Sequence, residues 1–234
     1  LVALEYNSDM GKLILVPVPI GNTGDITQRA LDCLQKADVI YCEDTRNSHR
    51  LLDMFGIAGK KLVAYHQNNE HSFTPQVVRF ISTCEMAALV TDAGTPGISD
   101  PGFMLVRACI ENNIEVEVLP GATAFVPALA ASGLPCDRFY FEGFLPLKKG
   151  RQKQLEWISK LPVTTVLYEA PHRLLKLLEE LNTYCGPDRR ICVCRELSKM
   201  HEEYVRGTVT EVKNIFEQRE SIKGEIVVVV SSEQ

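Results

Sequence analysis

Short apolar runs alternate along this chain with segments whose apolar residues return every third or fourth position, and that alternation limits the fold more than any other feature. A run buried on both faces, followed by an amphipathic helix that covers it, is the unit of a layered α/β sheet with mostly parallel strands. In the first half the strand-like runs are LILVPV, VIYCE, LVAYH, AALVTD and EVEVLP. Between them, DITQRALDCLQKA reads as a helix with Asp25 as its N-cap, Gln28 three residues on, and Ile26, Ala30, Leu31 and Leu34 on the buried face. Thr74 with Pro75, and Asp100 with Pro101, read as the opening residues of two further helices. The pattern restarts beyond PGATAFVPALAASGLP with RFYFEGF, TTVLYEA, RRICVCREL, EEYVRGTV and GEIVVVVS. Only SKMHE separates the third and fourth of these, a spacing that suits an antiparallel hairpin. The expectation is two α/β domains, residues 12–120 with a mostly parallel sheet and residues 121–231 with a mixed one.

Composition narrows the class. The chain has 234 residues, 45% of them apolar, enough to bury a sizeable core. No apolar run approaches the roughly 20 residues that cross a bilayer, and the start LVALEYNSDMGK lacks a secretory layout, so a cytoplasmic protein without membrane contact is expected. The first ten or so residues read as a remnant or a displaced start. The eight cysteines are scattered among apolar neighbours without zinc-knuckle spacing, which favours buried reduced thiols over bridges or metal. The histidines show no metal spacing either. Charge is uneven: residues 1–120 carry 9 Lys and Arg against 15 Asp and Glu, whereas residues 121–234 carry 16 against 15. The basic residues gather as Lys148, Lys149, Arg151 and Lys153, as His172, Arg173 and Lys176, and as Arg189 and Arg190. Such clusters either track a phosphate backbone or are solvated helix ends.

Ligands of open parallel sheets sit beyond the carboxyl ends of the strands, so the loops there carry the functional signal. VPVPIGNTGD contains neither the dinucleotide fingerprint nor a P-loop, which disfavours a nicotinamide dehydrogenase or a nucleotide hydrolase. EDTR packs Glu43, Asp44, Thr45 and Arg46 at a strand end; Asp44 or Thr45 is equally suited to cap the next helix with Arg46 paired to a carboxylate. TDAGTPGISDPG places three glycines, two prolines and two aspartates after a buried run, and only Asp100 in it has a ready structural use. LYEAPHR sets Glu169 beside His172 and Arg173, a weak proton or phosphate signal.

VPVPIGNTGDITQRAL, EDTR, LVTDAGTPGISDPG, LPGATA, LAASGLP, FEGFLP, YEAPHRL, RELSKMHEEYVRGT and GEIVVVV, in that order from Lys12 to Ser231, resemble the ribosomal RNA small-subunit methyltransferase I family of the tetrapyrrole methylase superfamily. The chain departs from the pattern at Val18, at Asn47 and Ser48, and at Ala122 and Thr123, all small or polar exchanges. The resemblance implies a cytidine 2′-O-methyltransferase that uses S-adenosylmethionine, holds it in a cleft between the two domains, and works as a homodimer on small-subunit ribosomal RNA or the assembled subunit. It implies a cofactor wall from Asp92 through Gly94, Thr95, Pro96, Gly97, Ile98 and Ser99 to Asp100. It assigns the other side to Ala122, Thr123 and Ala124 with Tyr168.

Transfer to a ribose hydroxyl is an in-line displacement that needs collinear atoms and an acceptor for the hydroxyl proton. Asp25, Asp44 and Glu169 are the candidate bases, and Arg46 and Arg173 the candidates to grip RNA phosphate or pair with a carboxylate. Asp44 with Arg46 is expected nearest the reacting hydroxyl. A porphyrin-like substrate would suit the same scaffold but needs a broad apolar trough, for which the EDTR and PHR loops are too charged. A non-catalytic RNA-binding assembly factor would keep the basic clusters and need no cofactor.

Overall fold

The computed structural model describes residues 11–232, so the expectation for the chain's first ten residues lies outside the described residues. The chain divides into two compact units at Thr123 and Ala124. In the first, β1 (Lys12–Leu15), β2 (Val39–Cys42), β3 (Leu62–Ala64), β4 (Met86–Val90) and β5 (Glu115–Val118) form one sheet in the order β3-β2-β4-β1-β5. Every pairing in it is parallel. Parallel neighbours require crossovers, supplied here by α1 (Gln28–Lys36), α2 (Thr45–Met54), α3 (Glu70–Ile81) and α4 (Phe103–Glu111). Alternate residues of the central strands feed two cores. Ile14, Ile40 and Ala88 pack with Ala30 and Leu34 of α1, while Leu13, Tyr41 and Leu89 pack with Val77 and Ile81 of α3 and Leu105 of α4. Burial on both faces explains why these strands read as continuous apolar runs.

The five strands lie where the apolar runs place them, but three helix starts differ from expectation. Thr27 caps α1, its hydroxyl accepting from the Ala30 amide at 3.1 Å, and Asp25 instead ends a short 3-10 turn, Thr23–Asp25, capped by Asn22. α3 begins a turn early at Glu70 and carries Pro75 inside it; Thr74 is buried, donating to the Glu70 carbonyl at 2.6 Å rather than capping. α4 begins at Phe103 behind Gly102, so Asp100 is not its cap. In each case the chain had several hydroxyl, amide or carboxylate groups within a few residues, and packing chose among them.

The second unit contains α5 (Phe125–Ala131), β6 (Phe139–Phe144), α6 (Arg151–Ile158), β7 (Thr164–Glu169), α7 (Leu174–Cys185), β8 (Arg190–Arg195), β9 (Glu203–Thr208), α8 (Val209–Glu217) and β10 (Ile226–Val230). α5 falls in the stretch read from sequence as merely separating the two halves. The sheet runs β6-β7-β10-β8-β9, with only β6 and β7 parallel, and β8–β9 is the expected antiparallel hairpin. One face packs Leu167, Val193 and Val228 against Leu177, Leu178 and Leu181 of α7 and Val212 and Phe216 of α8. Cys33, Cys42, Cys109, Cys192 and Cys194 are buried in these interiors as small hydrophobes. Among the described residues no helix is long and apolar enough to cross a membrane.

Candidate active site

Because β1, β2, β4 and β5 run parallel, the loops that follow them leave the same edge of the first sheet. Four ties join these loops. Val18 and Gly94 exchange two backbone hydrogen bonds, at 2.9 and 3.0 Å. The Thr95 hydroxyl donates to the Ala122 carbonyl at 2.9 Å. The Asn47 side-chain amide donates to Asp92 at 2.9 Å, and the Thr91 hydroxyl to Glu43 at 3.1 Å.

The glycines make this arrangement possible. Gly94 and Gly97 have φ of +80° and +82°, a left-handed backbone that costs other L-residues about 1 kcal/mol. Gly102 lies against Gly97: a Cβ on it would stand 3.1 Å from the Gly97 Cα, so the stretch folds back on itself. Pro96 is buried beneath the bend, whereas Ile98 and Ser99 are exposed on it. Ser99 and Asp100 face Glu43, Gln67 and Glu70 across a cleft of about 180 Å³.

The electrostatics of this edge are acidic. Burial, and then the neighbouring Glu43 carboxylate, push the Asp100 acid up to about 6; the Thr91 hydroxyl pulls against them and Asp92 adds a further, smaller push. Glu43, Asp92 and Asp100 therefore gather around Thr91, and such a group favours a cationic guest. Asp44 stands differently. It caps α2 through the Arg46 amide at 2.8 Å and also receives the Arg46 guanidinium at 3.1 and 2.6 Å, so both structural uses foreseen for it are present. Those Arg46 contacts hold its acid down to about 2. Arg46 itself remains 83% exposed, and Asp25 is exposed in its 3-10 turn.

Ala124 and Tyr168 belong to the second unit. Tyr168 packs edge-on against Phe141 and Phe144, with ring centroids 5.2 and 5.6 Å away. Glu169 follows it at the end of β7, and its side chain is only 2% exposed. It receives the Ala170 amide at 2.9 Å and Arg151 at 3.4 Å, and Arg173 Nε lies 2.8 Å from it as a charge contact without hydrogen-bond alignment. Arg151 is itself buried and forks onto Glu180, Nε at 3.0 and 2.9 Å and Nη2 at 2.7 Å. Neither alternative offered for its basic cluster, phosphate tracking or a solvated helix end, fits Arg151, because it is buried in this network. Arg189, partly buried, is held for a different reason: its guanidinium donates to the carbonyls of Cys185, Ser159 and Ser231.

A family model for the tetrapyrrole (corrin/porphyrin) methylases matches residues 12–213. The ribosomal RNA small subunit methyltransferase I of a Synechocystis strain is 48% identical over 223 residues, 95% of this chain and 79% of that protein. Its counterparts in a Hydrogenobaculum strain and in Thermotoga maritima are 46% and 41% identical, covering 95% and 96% of this chain and 96% and 100% of theirs. The chain belongs to the ribosomal RNA small subunit methyltransferase I family. Its backbone also resembles more distant solved structures. A uroporphyrin-III C-methyltransferase from Thermus thermophilus complexed with S-adenosyl homocysteine gives a TM-score of 0.63 at 22% identity, over 94% of this chain and 97% of that one. A diphthine synthase gives 0.72 at 14%, over 94% and 90%. These two share the tetrapyrrole methylase fold, and at such identity they speak to the fold alone.

Two of the three departures from the family pattern fall where contacts run through the backbone. Val18 and Ala122 make their ties with main-chain atoms, so exchanges there leave the ties in place. Asn47 is the exception, because its own amide reaches Asp92. Sequence reasoning missed Glu43 and Thr91 as partners of Asp100, and Arg151 with Glu180 as the frame of Glu169. Glu43 was visible at a strand end, but nothing in the sequence joins Arg151 to a residue 29 positions away.

Proposed function

We propose that this chain methylates the ribose 2′-hydroxyl of a cytidine in small-subunit ribosomal RNA, taking the methyl group from S-adenosylmethionine. The observation that carries the reading is the first unit's loop edge, where left-handed glycines, hydroxyls and a gathering of carboxylates offer backbone and negative charge together. A nucleoside sulfonium with an amino group and a ribose diol needs such surroundings, and a phosphate nest would not suit it. The residues present fit the donor. Asp92, Gly94, Thr95, Gly97, Ser99 and Asp100, with Ala122 and Thr123, would hold it, and Pro96 and Ile98 would shape the bend. When bound, S-adenosylmethionine supplies an electrophilic methyl group whose transfer discharges the sulfonium.

The chain's own residues would orient the acceptor and move its proton. Positioning of the hydroxyl supplies most of the advantage, and a placed proton acceptor adds about a hundred- to ten-thousand-fold. Asp44 with Arg46 stands nearest the reacting hydroxyl in this reading. A carboxylate held to about 2 is a weak base, so Asp44 chiefly fixes Arg46, whose exposed guanidinium is free to meet RNA phosphate. Glu169 is enclosed by Arg151 and Arg173 and orients Arg173 instead of taking a proton. Asp25, exposed beside β1, remains the third carboxylate. The enzyme would act in the cytoplasm as a homodimer, on the assembled subunit or its RNA.

Mass spectrometry of ribose methylation in small-subunit RNA from cells with and without the protein tests the reading; an unchanged cytidine profile would sink it. For the site, Asp44→Asn should slow single-turnover methylation at least about tenfold with donor binding retained. Unchanged single-turnover rates would remove Asp44 from the reacting centre.

A further inference from the structure

In the second unit a groove of about 540 Å³ runs along the loop after β6, the start of α6 and one face of α7, lined by Leu147, Lys148, Gly150, Lys153, Lys176 and the Arg151–Glu180 pair. The site already described does not use it. Its charge has two layers. Arg151, at the floor, is 5% exposed and its charge is answered by Glu180 and Glu169. The three lysines are exposed, Lys176 being 64% exposed and 3.9 Å from Glu180. The buried arginine therefore shapes the floor, and the lysines supply the positive charge offered to a guest.

The rim also carries apolar surface. Leu147, in the groove's lining, is 66% exposed. The groove is reached over a turn at Gly150, whose φ of +88° and open surroundings bring the chain sharply into α6. Lysines spaced along a groove are the arrangement that tracks a sugar-phosphate backbone. A small anion would leave most of this groove unfilled.

We propose that this groove binds the backbone of single-stranded ribosomal RNA flanking the modified nucleotide, with phosphates on Lys148, Lys153 and Lys176. The assignment rests on the reading of the chain as an rRNA methyltransferase and adds where its substrate is gripped. Each phosphate of a single strand contacted by a lysine releases condensed counterion and steepens the log–log salt dependence of binding by about 0.7.

The test measures binding of a labelled single-stranded small-subunit RNA fragment across a salt series, with S-adenosylmethionine calorimetry on every variant as a check of folding. The triple variant Lys148→Gln/Lys153→Gln/Lys176→Gln should bind about tenfold or more weakly near 0.1 M salt and lose about 2 from the slope. A control triple of equal charge from elsewhere on the surface, Lys36→Gln/Arg79→Gln/Lys160→Gln, should lose far less. Equal losses in the two triples, or preference for duplex over single strand, overturn the groove assignment while wild-type methylation stands. Failure of the wild type to bind and methylate the RNA overturns the functional reading and the groove with it.

Discussion

The loop edges of the two units answer charge in opposite ways. In the first unit, Glu43 and Asp92 receive hydroxyl and amide donors from Thr91 and Asn47, and the acidity of the edge is left to act on a guest. In the second, the buried Glu169 is met by Arg151 and Arg173, and Arg151 is met again by Glu180, so that its interior charge is settled before the lysines begin. The difference follows from the partners. A cationic donor is held by carboxylates that protein cations have not neutralised, whereas a polyanion is held by exposed lysines above a floor that must be stable without it.

The largest effect should come from removing the second unit's buried carboxylate. Glu169→Ala leaves Arg173 and part of Arg151 uncompensated, and should destabilise that unit by about 3 kcal/mol. Trp157, the chain's single tryptophan, lies on α6 and reports this unit directly in urea titrations. A loss below about 0.5 kcal/mol would show that the network is not a structural floor.

Next is the first unit's backbone cradle. Gly102→Ala places a Cβ 3.1 Å from the Gly97 Cα and 3.2 Å from Leu89, and should cost about 2 kcal/mol while weakening donor binding in calorimetry. Full donor affinity in that variant would separate the cradle from the donor site.

The smallest effect tests whether the first unit's acidity is held at a cost. The Asp100 acid is raised to about 6 chiefly by burial and by Glu43, so the folded protein binds this proton more tightly than the unfolded chain does. Its contribution is fully present below the unfolded value near 4 and is lost as pH rises through about 6. Asp100→Asn should therefore gain about 1 kcal/mol at pH 8, after allowance for solvent screening, and almost nothing at pH 4. Equal gains at both pH values would mean that Asp100 carries no such penalty.

Much of this was legible beforehand because it depends on local pattern. Ten strands follow from apolar runs, and the β8–β9 hairpin from a short connection. The glycines of the β4 loop announced backbone that other residues cannot adopt, and Gly94, Gly97 and Gly102 have that backbone. Helix starts were less legible, since Asp25, Thr74 and Asp100 are all good caps in isolation and the chain used Thr27, Asn69 and Gly102 at those boundaries. The second unit's ion network was not legible at all: Arg151 reads as one more surface cation beside Lys149 and Lys153, and only burial separates it from them.

The sequence by itself determined the α/β layering, the parallel first sheet and the loops that carry chemistry, because hydrophobic period and glycine placement act over a few neighbouring residues. The tertiary structure alone decided which charges are spent inside the protein and which remain for a ligand. Desolvation and pairing depend on distances between residues far apart in the chain, such as Arg151 and Glu180 or Thr91 and Glu43, and no local pattern encodes them.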